Sequence, residues 1–223
     1  MRSEDLCRLR PFVYHLTAAS NLASIVRAGQ LEATGRLFER AGRAGDARLR
    51  SRRPAALSLE LDGEPIAIRD QKPLHERCIA FEPGWDMARL VERLNELVFF
   101  WPGTERGPIR PGQGHFELYR GQGEALRILR VPTAALLEAN AARGPLLSRC
   151  NSGAPSRFQK PGAPRGGATF VPVERADFSP AQVVELVFER SARLPPETRV
   201  GTTPQGPWRA LPGRPRPDRS AGA

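Results

Sequence analysis

Residues 12–31 read FVYHLTAASNLASIVRAGQL, the stretch that decides how the fold begins. Residues 12–16 are rich in aromatic and β-branched side chains, which predicts a short strand. Thr17 offers a side-chain oxygen for a helix N-cap, and Gly29 suits the left-handed C-cap position. Between them, apolar residues recur at helical spacing: Leu22, Ile25 and Val26. The chain is therefore predicted to open as strand, helix and turn, with Leu31 returning to the core.

Short strand-like segments recur along the rest of the chain, with few helices between them. Helices are predicted at residues 87–95 and 133–142, and the arginine-dense residues 36–53 are predicted to form a helix and a loop. Further strands are predicted at residues 56–61, 79–81, 97–101, 125–131, 146–149, 169–173 and 183–188. Because helices do not alternate regularly with strands, the sequence favours an α+β fold over a doubly wound sheet.

Glycine and proline punctuate the chain at three places. Residues 104–114 are predicted to form a Gly/Pro loop, and residues 151–167 a longer loop of the kind that is often functional. Residues 203–223 are rich in Pro, Gly, Arg and Ser and have almost no periodic apolar residues, which predicts a disordered tail. The remaining residues, 1–202, suffice for one hydrophobic core, so a single domain is predicted.

The chain is strongly basic. It has 34 lysine and arginine residues against 24 aspartate and glutamate residues, a net charge of +10 and an isoelectric point near 10.9. Such an excess attracts polyanions, either nucleic acid or an acidic membrane surface. However, nearly all the basic residues are arginines, and the chain is also rich in Ala, Gly and Pro, a composition that GC-rich coding produces by itself. Both explanations of the charge stay open.

Cysteine usage and hydropathy bear on the compartment. Cys7, Cys78 and Cys150 are odd in number, far apart and without CxxC spacing, which argues against a disulfide framework or a zinc site. The first ten residues have no signal-peptide core. The longest apolar run, residues 97–101, is far shorter than the roughly 20 residues that span a bilayer. We expect a cytoplasmic protein with no metal and no membrane association.

No Walker A loop, GxGxxG, HExxH or GxSxG motif occurs in the sequence. The opening stretch instead reads Tyr14-His15-x-Thr17-x-x-x-Asn21-x-x-x-Ile25-x-x-x-Gly29-x-Leu31. Farther on, residues 68–74 read IRDQKPL and residues 99–102 read FFWP. This order resembles that of DarT-type DNA ADP-ribosyltransferases, and it is similar to an uncharacterised bacterial family with the same three motifs. The resemblance covers roughly residues 10–200.

The resemblance implies an ADP-ribosyltransferase-like split β-sheet with short flanking helices, and NAD as the substrate. It assigns catalytic roles to Glu185, in the apolar run VVELVF, and to Arg69, which precedes the aromatic FFW run. It assigns NAD binding to His15, Thr17 and Asn21, with His15 on a ribose hydroxyl. It further implies a monomeric toxin that has an antitoxin as partner.

The chemistry explains why such residues are needed. Cleavage of the nicotinamide–ribose bond builds positive charge on the ribose, and a fixed carboxylate stabilises that charge. Glu185 lies within an apolar strand, where an unpaired carboxylate is costly to bury, so it faces either a polar cleft or a solvated edge. His15 is either a cofactor ligand or a core histidine that donates to a backbone carbonyl. Asn21 either contacts the cofactor or satisfies nearby backbone groups.

Seven arginines fall within residues 36–53. A solvated face is the ordinary interpretation, and phosphate contacts to a nucleic-acid substrate are the alternative. On that alternative, the acceptor is a base of single-stranded DNA or RNA, because chemistry on a base needs it unstacked. The substrate-binding candidates are then Arg48, Arg50, Arg52 and Arg53.

The leading prediction is an NAD-dependent ADP-ribosyltransferase that modifies a nucleic-acid base. Two alternatives stay open. One is an RNA 2′-phosphotransferase-like enzyme, whose cleft would gather several basic residues. The other is an inactive member of the fold that only binds nucleic acid or a nucleotide. The transferase hypothesis requires that His15 and Glu185 face one cleft.

Overall fold

Strand β1 (Phe12–Ala18) lies near the middle of the main sheet, which extends from it in both directions. The structure, a computed structural model, describes residues 1–155 and 164–212. Within these ranges the chain forms a mostly antiparallel sheet flanked by short helices. The predicted α+β fold is therefore confirmed.

The described residues contain six α-helices, each of ten residues or fewer. These are α1 (Ser3–Leu9), α2 (Leu22–Ala28), α3 (Thr34–Arg40), α4 (Met87–Asn95), α5 (Arg110–Tyr119) and α6 (Thr133–Ala139). The other strands in these ranges are β2 (Gln30–Glu32), β3 (Leu57–Leu61), β4 (Glu64–Ile68), β5 (Leu97–Thr104), β6 (Gly107–Pro108), β7 (Leu126–Pro132), β8 (Leu146–Ser148), β9 (Val171–Pro172), β10 (Glu185–Glu189), β11 (Ser191–Arg193), β12 (Arg199–Gly201) and β13 (Arg209–Ala210).

The main sheet has the strand order β13-β12-β7-β1-β5-β10-β8-β9, with β6 paired to β5. Strand β5 joins two halves of this sheet. Its residues 101–103 pair with residues 12–14 of β1, whereas its residues 97–100 pair with residues 186–189 of β10. From His15 onward, the described backbone of β1 pairs with β7 but no longer with β5. The sheet is therefore split between the end of β1 and the start of β5.

Two smaller pairs of strands lie outside the main sheet: β2 with β11, and the hairpin of β3 and β4. The hairpin has its own small core against Phe38 of α3. Its apolar side chains alternate along each strand, as expected for a sheet with one buried face: Leu59, Leu61, Ile66 and Ile68. This small core holds the hairpin as a separate wall beside the split.

The main sheet buries apolar side chains on both faces. One face, which includes Val13, Phe100, Leu129 and Phe188, packs on α1 and on Leu136 of α6. The other face packs on α5 near β1 and on α4 near β10. Helix α4 begins at its N-cap Asp86, whose Oδ1 accepts a hydrogen bond from the Arg89 N–H at 2.8 Å. The prediction of this helix at residues 87–95 matches its bounds.

The opening segment departs from the prediction at Thr17. The strand continues through Ala18 because its pairing with β7 extends to the Ala18–Leu126 pair, so Thr17 is a strand residue and no helix cap. Helix α2 begins after a short 3₁₀ turn. It ends, as predicted, at Gly29, whose φ of 64° allows its N–H to reach the carbonyl oxygens of Ile25 and Val26.

The predicted loop at residues 104–114 contains regular structure, and this prediction was wrong. Strand β5 runs past Pro102 and Gly103, β6 turns back on it, and helix α5 begins at Arg110. Gly112 of α5 packs directly on Trp101, where an added Cβ would lie 2.8 Å from the Trp101 Cβ. Glycine here allows close packing of a helix on a strand, although the same residue type suggested a loop.

Two other predicted strands are shorter or missing. Residues 79–81 form no strand, and Phe81 makes only an isolated bridge with Arg165 after the 3₁₀ turn Glu76–Cys78. Of the predicted strand at residues 169–173, only Val171–Pro172 pairs, with β8. Ile79, Phe81 and Phe170 pack in the cluster that contains α4, whereas Val171 and Val173 belong to the cluster on the other face of the sheet. Apolar residues in largely irregular backbone therefore produced the strand-like pattern.

The described part of the predicted tail packs on the sheet. Trp208 lies beside Tyr14, with a ring-centroid distance of 5.8 Å, and Leu211 is only 2% exposed. Strand β13 adds to the sheet through β12. The fold of the described residues therefore continues beyond the predicted boundary at residue 202, held by two apolar anchors that show no periodicity. Residues 213–223 of the predicted tail lie outside the described residues.

Candidate active site

A cavity of about 260 Å³ lies where the sheet splits between β1 and β5. The end of β1, the hairpin strand β4, helix α5, the loop after β8 and the first residue of β10 contribute to its walls. The predicted catalytic and cofactor-binding residues all line it: His15, Thr17, Asn21, Arg69 and Glu185. The structure thus brings together five residues that are up to 170 positions apart in the sequence (185 − 15). Their roles remain predictions.

His15 bridges the split. Its Nδ1 lies 2.8 Å from the carbonyl oxygen of Phe99 in β5, and because a carbonyl only accepts, Nδ1 carries the hydrogen. The imidazole Nε2 is then an acceptor. Burial lowers the pKa of His15 to about 4, with the positive charge of Arg69 acting in the same direction. His15 is therefore a neutral acceptor at physiological pH, suited to a hydroxyl donor.

Glu185 is the first residue of β10 and is only 2% exposed. Its Oε1 accepts a hydrogen bond from the Ser152 backbone N–H at 3.0 Å. Its Oε2 has no hydrogen-bond partner among the described residues. The carboxyl group is therefore oriented through one oxygen, and the other oxygen remains for a ligand.

Burial raises the pKa of Glu185 to about 7, although contact with Ser152 and the charge of Arg165 lower it in part. The group therefore titrates near neutral pH. A ligand that places positive charge beside the carboxyl group would favour its ionised form. The sequence left open a polar cleft or a solvated edge for Glu185, and the structure places it in the cleft.

Arg69 follows strand β4 and is held by neutral groups. Its Nη2 donates to the carbonyl oxygen of Leu16 at 2.8 Å, and its guanidinium lies 5.3 Å from the ring centroid of Tyr119. Its Nη1 is buried and has no partner among the described residues. Burial lowers the pKa of Arg69, but an arginine starts far enough above neutrality to keep its charge. The cavity thus contains a cation with an unused donor.

Residues 70 and 71 of the IRDQKPL segment fix the surroundings of Arg69. Asp70 accepts hydrogen bonds from the Tyr119 hydroxyl at 2.8 Å and from the Lys72 N–H at 3.0 Å. Gln71 pairs with the backbone of Arg53 in both directions, at 2.8 and 3.1 Å. Asp70 therefore acts on the wall of the cavity by holding Tyr119.

Asn21 uses its side chain to tie the hairpin to the start of α2. Its Oδ1 accepts from the Ala67 N–H at 2.8 Å, and its Nδ2 donates to the Ala67 carbonyl oxygen at 2.9 Å. Nδ2 also lies 3.4 Å from the hydroxyl of Thr17, which is buried. The amide of Asn21 is therefore committed to backbone groups, and its geometry indicates that it positions the β4 wall of the cavity.

The four arginine candidates for substrate binding are not brought together. Arg48 pairs with Asp46 at 2.5 Å, Arg50 lies 3.5 Å from Glu92, and Arg52 lies in a different pocket. Arg53 alone lines the cavity and is only 5% exposed. A surface contact with nucleic-acid phosphates does not fit Arg53, because its guanidinium is buried.

An aromatic wall was missed by the sequence reasoning. Three rings that follow one another in space line the cavity: Trp101, His115 and Tyr119. The ring centroids of Trp101 and His115 are 4.6 Å apart, and those of His115 and Tyr119 are 4.9 Å apart. Burial lowers the pKa of His115 well below its usual range, so this ring is neutral. The spacing of His115, Phe116 and Tyr119 is a helical signal that could have revealed α5, but the flanking glycines and prolines hid it.

Seven buried side-chain polar atoms in the described ranges have no hydrogen-bond partner there, and four of them belong to residues that line this cavity. These four are Arg69 Nη1, Trp101 Nε1, Ser152 Oγ and Glu185 Oε2. Leaving a buried polar group unsatisfied costs about 1–3 kcal/mol. Such a concentration in one cavity is expected of a binding site whose ligand supplies the missing partners.

Three observations remain, on the predicted long loop, on metal ligands and on membrane-spanning helices. Residues 151–153 of the predicted long loop line it, whereas residues 156–163 of that loop lie outside the described residues. In the described ranges, no three His, Cys, Asp or Glu side chains are grouped as metal ligands would be. Among the helices described, none is long and apolar enough to cross a membrane.

Comparison with known proteins places the chain in a family. A family model described as a family of unknown function, DUF7002, matches residues 11–195. Among solved structures, DarT of Thermus sp. 2.9 in complex with carba-NAD+ is similar over 85% of this chain and 81% of that chain, with 14% sequence identity and a TM-score of 0.39. No curated protein matches significantly. The chain belongs to the DUF7002 family.

Proposed function

We propose that this chain is an NAD-dependent ADP-ribosyltransferase and that the split-sheet cavity is its active site. The observation that carries the proposal is the buried Glu185, whose Oε2 lacks a described partner, in one cavity with the neutral acceptor His15 and the cation Arg69. The three residues occur in the order implied by the motif resemblance. Together they supply a carboxylate, an acceptor for the hydrogen bond of a hydroxyl group, and a cation that can bind an anion.

The chemistry of this set fits cleavage of the nicotinamide–ribose bond. As the bond breaks, positive charge develops on the ribose, and an ionised Glu185 stabilises it. The Ser152 N–H fixes Oε1, so the carboxylate needs little reorganisation. The Nε2 of His15 accepts a ribose hydroxyl, and the Nη1 of Arg69 donates to a phosphate oxygen of NAD. Each of these contacts would satisfy a group for which the protein provides no described partner.

For the acceptor we propose a base of single-stranded nucleic acid. The net charge of +10 favours a polyanionic acceptor, and a base must leave its stack before it can enter a cavity. The candidates for the strand contacts are Arg48, Arg50 and Arg52, which lie outside the cavity. We further propose that an antitoxin binds this protein and covers the entrance of the cavity.

A second candidate is an RNA 2′-phosphotransferase-like enzyme. The observation that favours it is that two arginines, the buried Arg53 and the partly buried Arg69, line the same cavity. A terminal 2′-phosphate would require such cations. The two candidates differ in their dependence on Glu185, because only the transferase needs it for the first bond cleavage.

The test is to incubate the full chain with NAD labelled in its ADP-ribose part, together with single-stranded DNA, RNA, 2′-phosphorylated RNA or a protein mixture. We expect nicotinamide release and label transfer to single-stranded nucleic acid. Glu185→Gln should reduce turnover by on the order of 100-fold or more. Glu189→Gln is the matched control, because Glu189 is the exposed carboxylate at the other end of β10.

Full activity in Glu185→Gln would remove the carboxylate from the mechanism. Loss of the 2′-phosphate from RNA, with no transfer to other acceptors, would favour the phosphotransferase. NAD binding without any turnover would indicate an inactive member of the fold that only binds a nucleotide.

A further inference from the structure

Arg53 is the one member of the arginine-dense segment that is drawn into the cavity. It is 5% exposed, while its neighbours Arg50 and Ser51 are exposed. Its position is fixed by three contacts. Nη1 donates to Asn95 Oδ1 at 2.9 Å, Nε donates to the Arg69 carbonyl oxygen at 3.3 Å, and its backbone N–H donates to Gln71.

None of these partners carries a negative charge. No carboxylate of the described residues lies within 4.0 Å of the guanidinium of Arg53 or of Arg69. The nearest acidic residue in the cavity wall, Asp70, is instead occupied by Tyr119 and Lys72. Two cations, the buried Arg53 and the partly buried Arg69, thus line one cavity without an ion pair among the described residues, although the charge of Asp70 acts on both from beyond ion-pair distance. An anion that contacts both guanidinium groups would supply the missing ion pair.

Each cation also has a donor without a described partner. Arg69 Nη1 is buried and unpaired, and no described group accepts from Arg53 Nη2. Since the Arg53 Nε–H donates to the Arg69 carbonyl oxygen, the guanidinium of Arg53 lies beside the backbone from which the Arg69 side chain starts. This arrangement is suited to an anion with several oxygens on neighbouring centres, because arginine binds phosphate oxygens with more than one N–H.

We propose that Arg53 and Arg69 form a two-cation site for the diphosphate of a nucleotide. The choice of a nucleotide rests on the proposed function, while the site itself rests on two cations in one cavity that have no described ion pair and that each keep a donor without a described partner. A strand of nucleic acid fits less well, because its phosphates would need exposed cations and Arg53 is buried. Asn95 is the positioning residue of this site: it orients Arg53 through Oδ1 and is itself held by the Leu49 carbonyl oxygen at 2.9 Å.

The experiment measures the affinity of the full chain for ADP, AMP and adenosine by calorimetry. We expect ADP to bind at least tenfold more tightly than adenosine, with AMP between them. Arg53→Gln should reduce ADP affinity by on the order of 10- to 100-fold and leave adenosine affinity unchanged. Arg53→Lys should lie in between. Arg8→Gln is the charge-matched control, because Arg8 is 78% exposed and pairs only locally with Asp5.

Equal affinity of the wild-type chain for ADP and adenosine would overturn the proposal, and so would an unchanged ADP preference in Arg53→Gln. If circular dichroism shows that Arg53→Gln does not fold, competition in the wild type decides. Inorganic pyrophosphate should then displace ADP, and its failure to do so would be decisive against the site. Displacement by an unphosphorylated oligonucleotide but not by pyrophosphate would assign the cations to nucleic acid and overturn the proposal as well.

The two proposals fail separately. An ADP preference that depends on Arg53, without any cleavage of NAD, would refute the transferase and leave the diphosphate site standing. Cleavage of NAD that depends on Glu185, with ADP binding indifferent to Arg53, would do the reverse.

Discussion

The Nδ1 of His15 donates to the carbonyl oxygen of Phe99 at 2.8 Å, across the gap where β1 and β5 separate. In a continuous sheet, a hydrogen bond between the backbones of β1 and β5 would lie at this position. Here the side chain of His15 makes the connection instead. The contact fixes the tautomer, so that Nε2 is the acceptor. His15 therefore combines both interpretations that the sequence allowed, a core histidine on a backbone carbonyl and an acceptor at the cavity.

Substitution of His15 separates these two contributions. In His15→Asn, the side-chain N–H can still reach the Phe99 carbonyl oxygen, but the Nε2 acceptor is lost. In His15→Ala both are lost. We expect the alanine variant to lose about 1 kcal/mol in the free energy of unfolding, and the asparagine variant to lose less. Both should bind NAD on the order of tenfold more weakly, as measured by calorimetry and thermal unfolding.

If both variants bound NAD like the wild type once folded, the role of His15 would be structural only. A loss of stability in His15→Ala with no selective loss of binding has the same meaning.

Glu185 should give the protein a distinctive dependence of stability on pH. Burial raises its pKa to about 7 in the folded chain, above the value of 4.5 for an unperturbed glutamate. Between these values the folded state holds a proton that the unfolded state has released. This contribution to stability is therefore complete below about pH 4.5 and is lost as the pH rises through about 7. The full effect is on the order of 3 kcal/mol.

Glu185→Gln removes this titration, because glutamine stays neutral at every pH. The variant should gain stability relative to the wild type as the pH rises from 4.5 to 8, even as it loses activity. Differences between the two proteins isolate Glu185 from His15, whose lowered pKa acts with the opposite sign in the same range. Parallel curves of unfolding free energy against pH would show that Glu185 is not a buried carboxyl group in solution.

Much of the fold was predictable where the side-chain pattern and the backbone agree. The aromatic and β-branched residues around Tyr14 indicated a strand, and the periodicity of residues 87–95 reflects burial on one face of a helix; both are visible in a single sequence. The split of the sheet followed from the motif resemblance, and none of the periodicities indicated it. It depends on the register of β5 with two partners, and register between distant strands leaves no local signal.

The candidate site could likewise be predicted only where it did not depend on contacts between distant segments. The motif resemblance assigned roles to His15 and Glu185, and the apolar strand around Glu185 added that its carboxylate needs a polar cleft or a solvated edge. Asn21 was expected at the cofactor, but its amide pairs with Ala67, a partner 46 positions away that no local pattern indicates. Arg53 could not be separated from the other arginines of its segment, because only the tertiary contact with Asn95 draws it inside.

Two glycines of α5 provide a test of the aromatic wall. A Cβ at Gly112 would lie 2.8 Å from the Cβ and Cγ of Trp101, whereas a Cβ at Gly114 would meet no atom within 4 Å. Gly112→Ala should therefore shift Trp101 and cost about 1–3 kcal/mol through overpacking. Gly114→Ala, the control in the same helix, should be neutral or stabilising by up to about 1 kcal/mol.

The readouts are thermal unfolding and tryptophan fluorescence, together with NAD affinity. If Trp101 forms part of the binding site, Gly112→Ala weakens NAD binding while Gly114→Ala does not. Equal stability of the two variants would contradict the packing of α5 on β5.

The last prediction concerns the exposed arginines and the acceptor. If Arg48, Arg50 and Arg52 contact the phosphates of a single strand, binding releases counter-ions, and the logarithm of the affinity falls with the logarithm of salt concentration by about 0.7 per phosphate contact. Replacing all three by glutamine should flatten that slope by about 2 if each makes one contact. Arg53 is left intact, because its buried guanidinium belongs to the cavity. NAD affinity should therefore not change.

The measurement is the affinity for single-stranded DNA and RNA between 50 and about 200 mM salt, in the wild type and in the triple variant. Arg48 and Arg50 already have acidic neighbours, Asp46 and Glu92, so nucleic acid must compete with these ion pairs. Exposed ion pairs of this kind contribute about 0–1 kcal/mol, which a phosphate can replace. A flat response in the wild type, or equal slopes in both proteins, would contradict a role for these arginines. A protein or small-molecule acceptor would then be the better hypothesis, because the cavity residues do not depend on the surface charge.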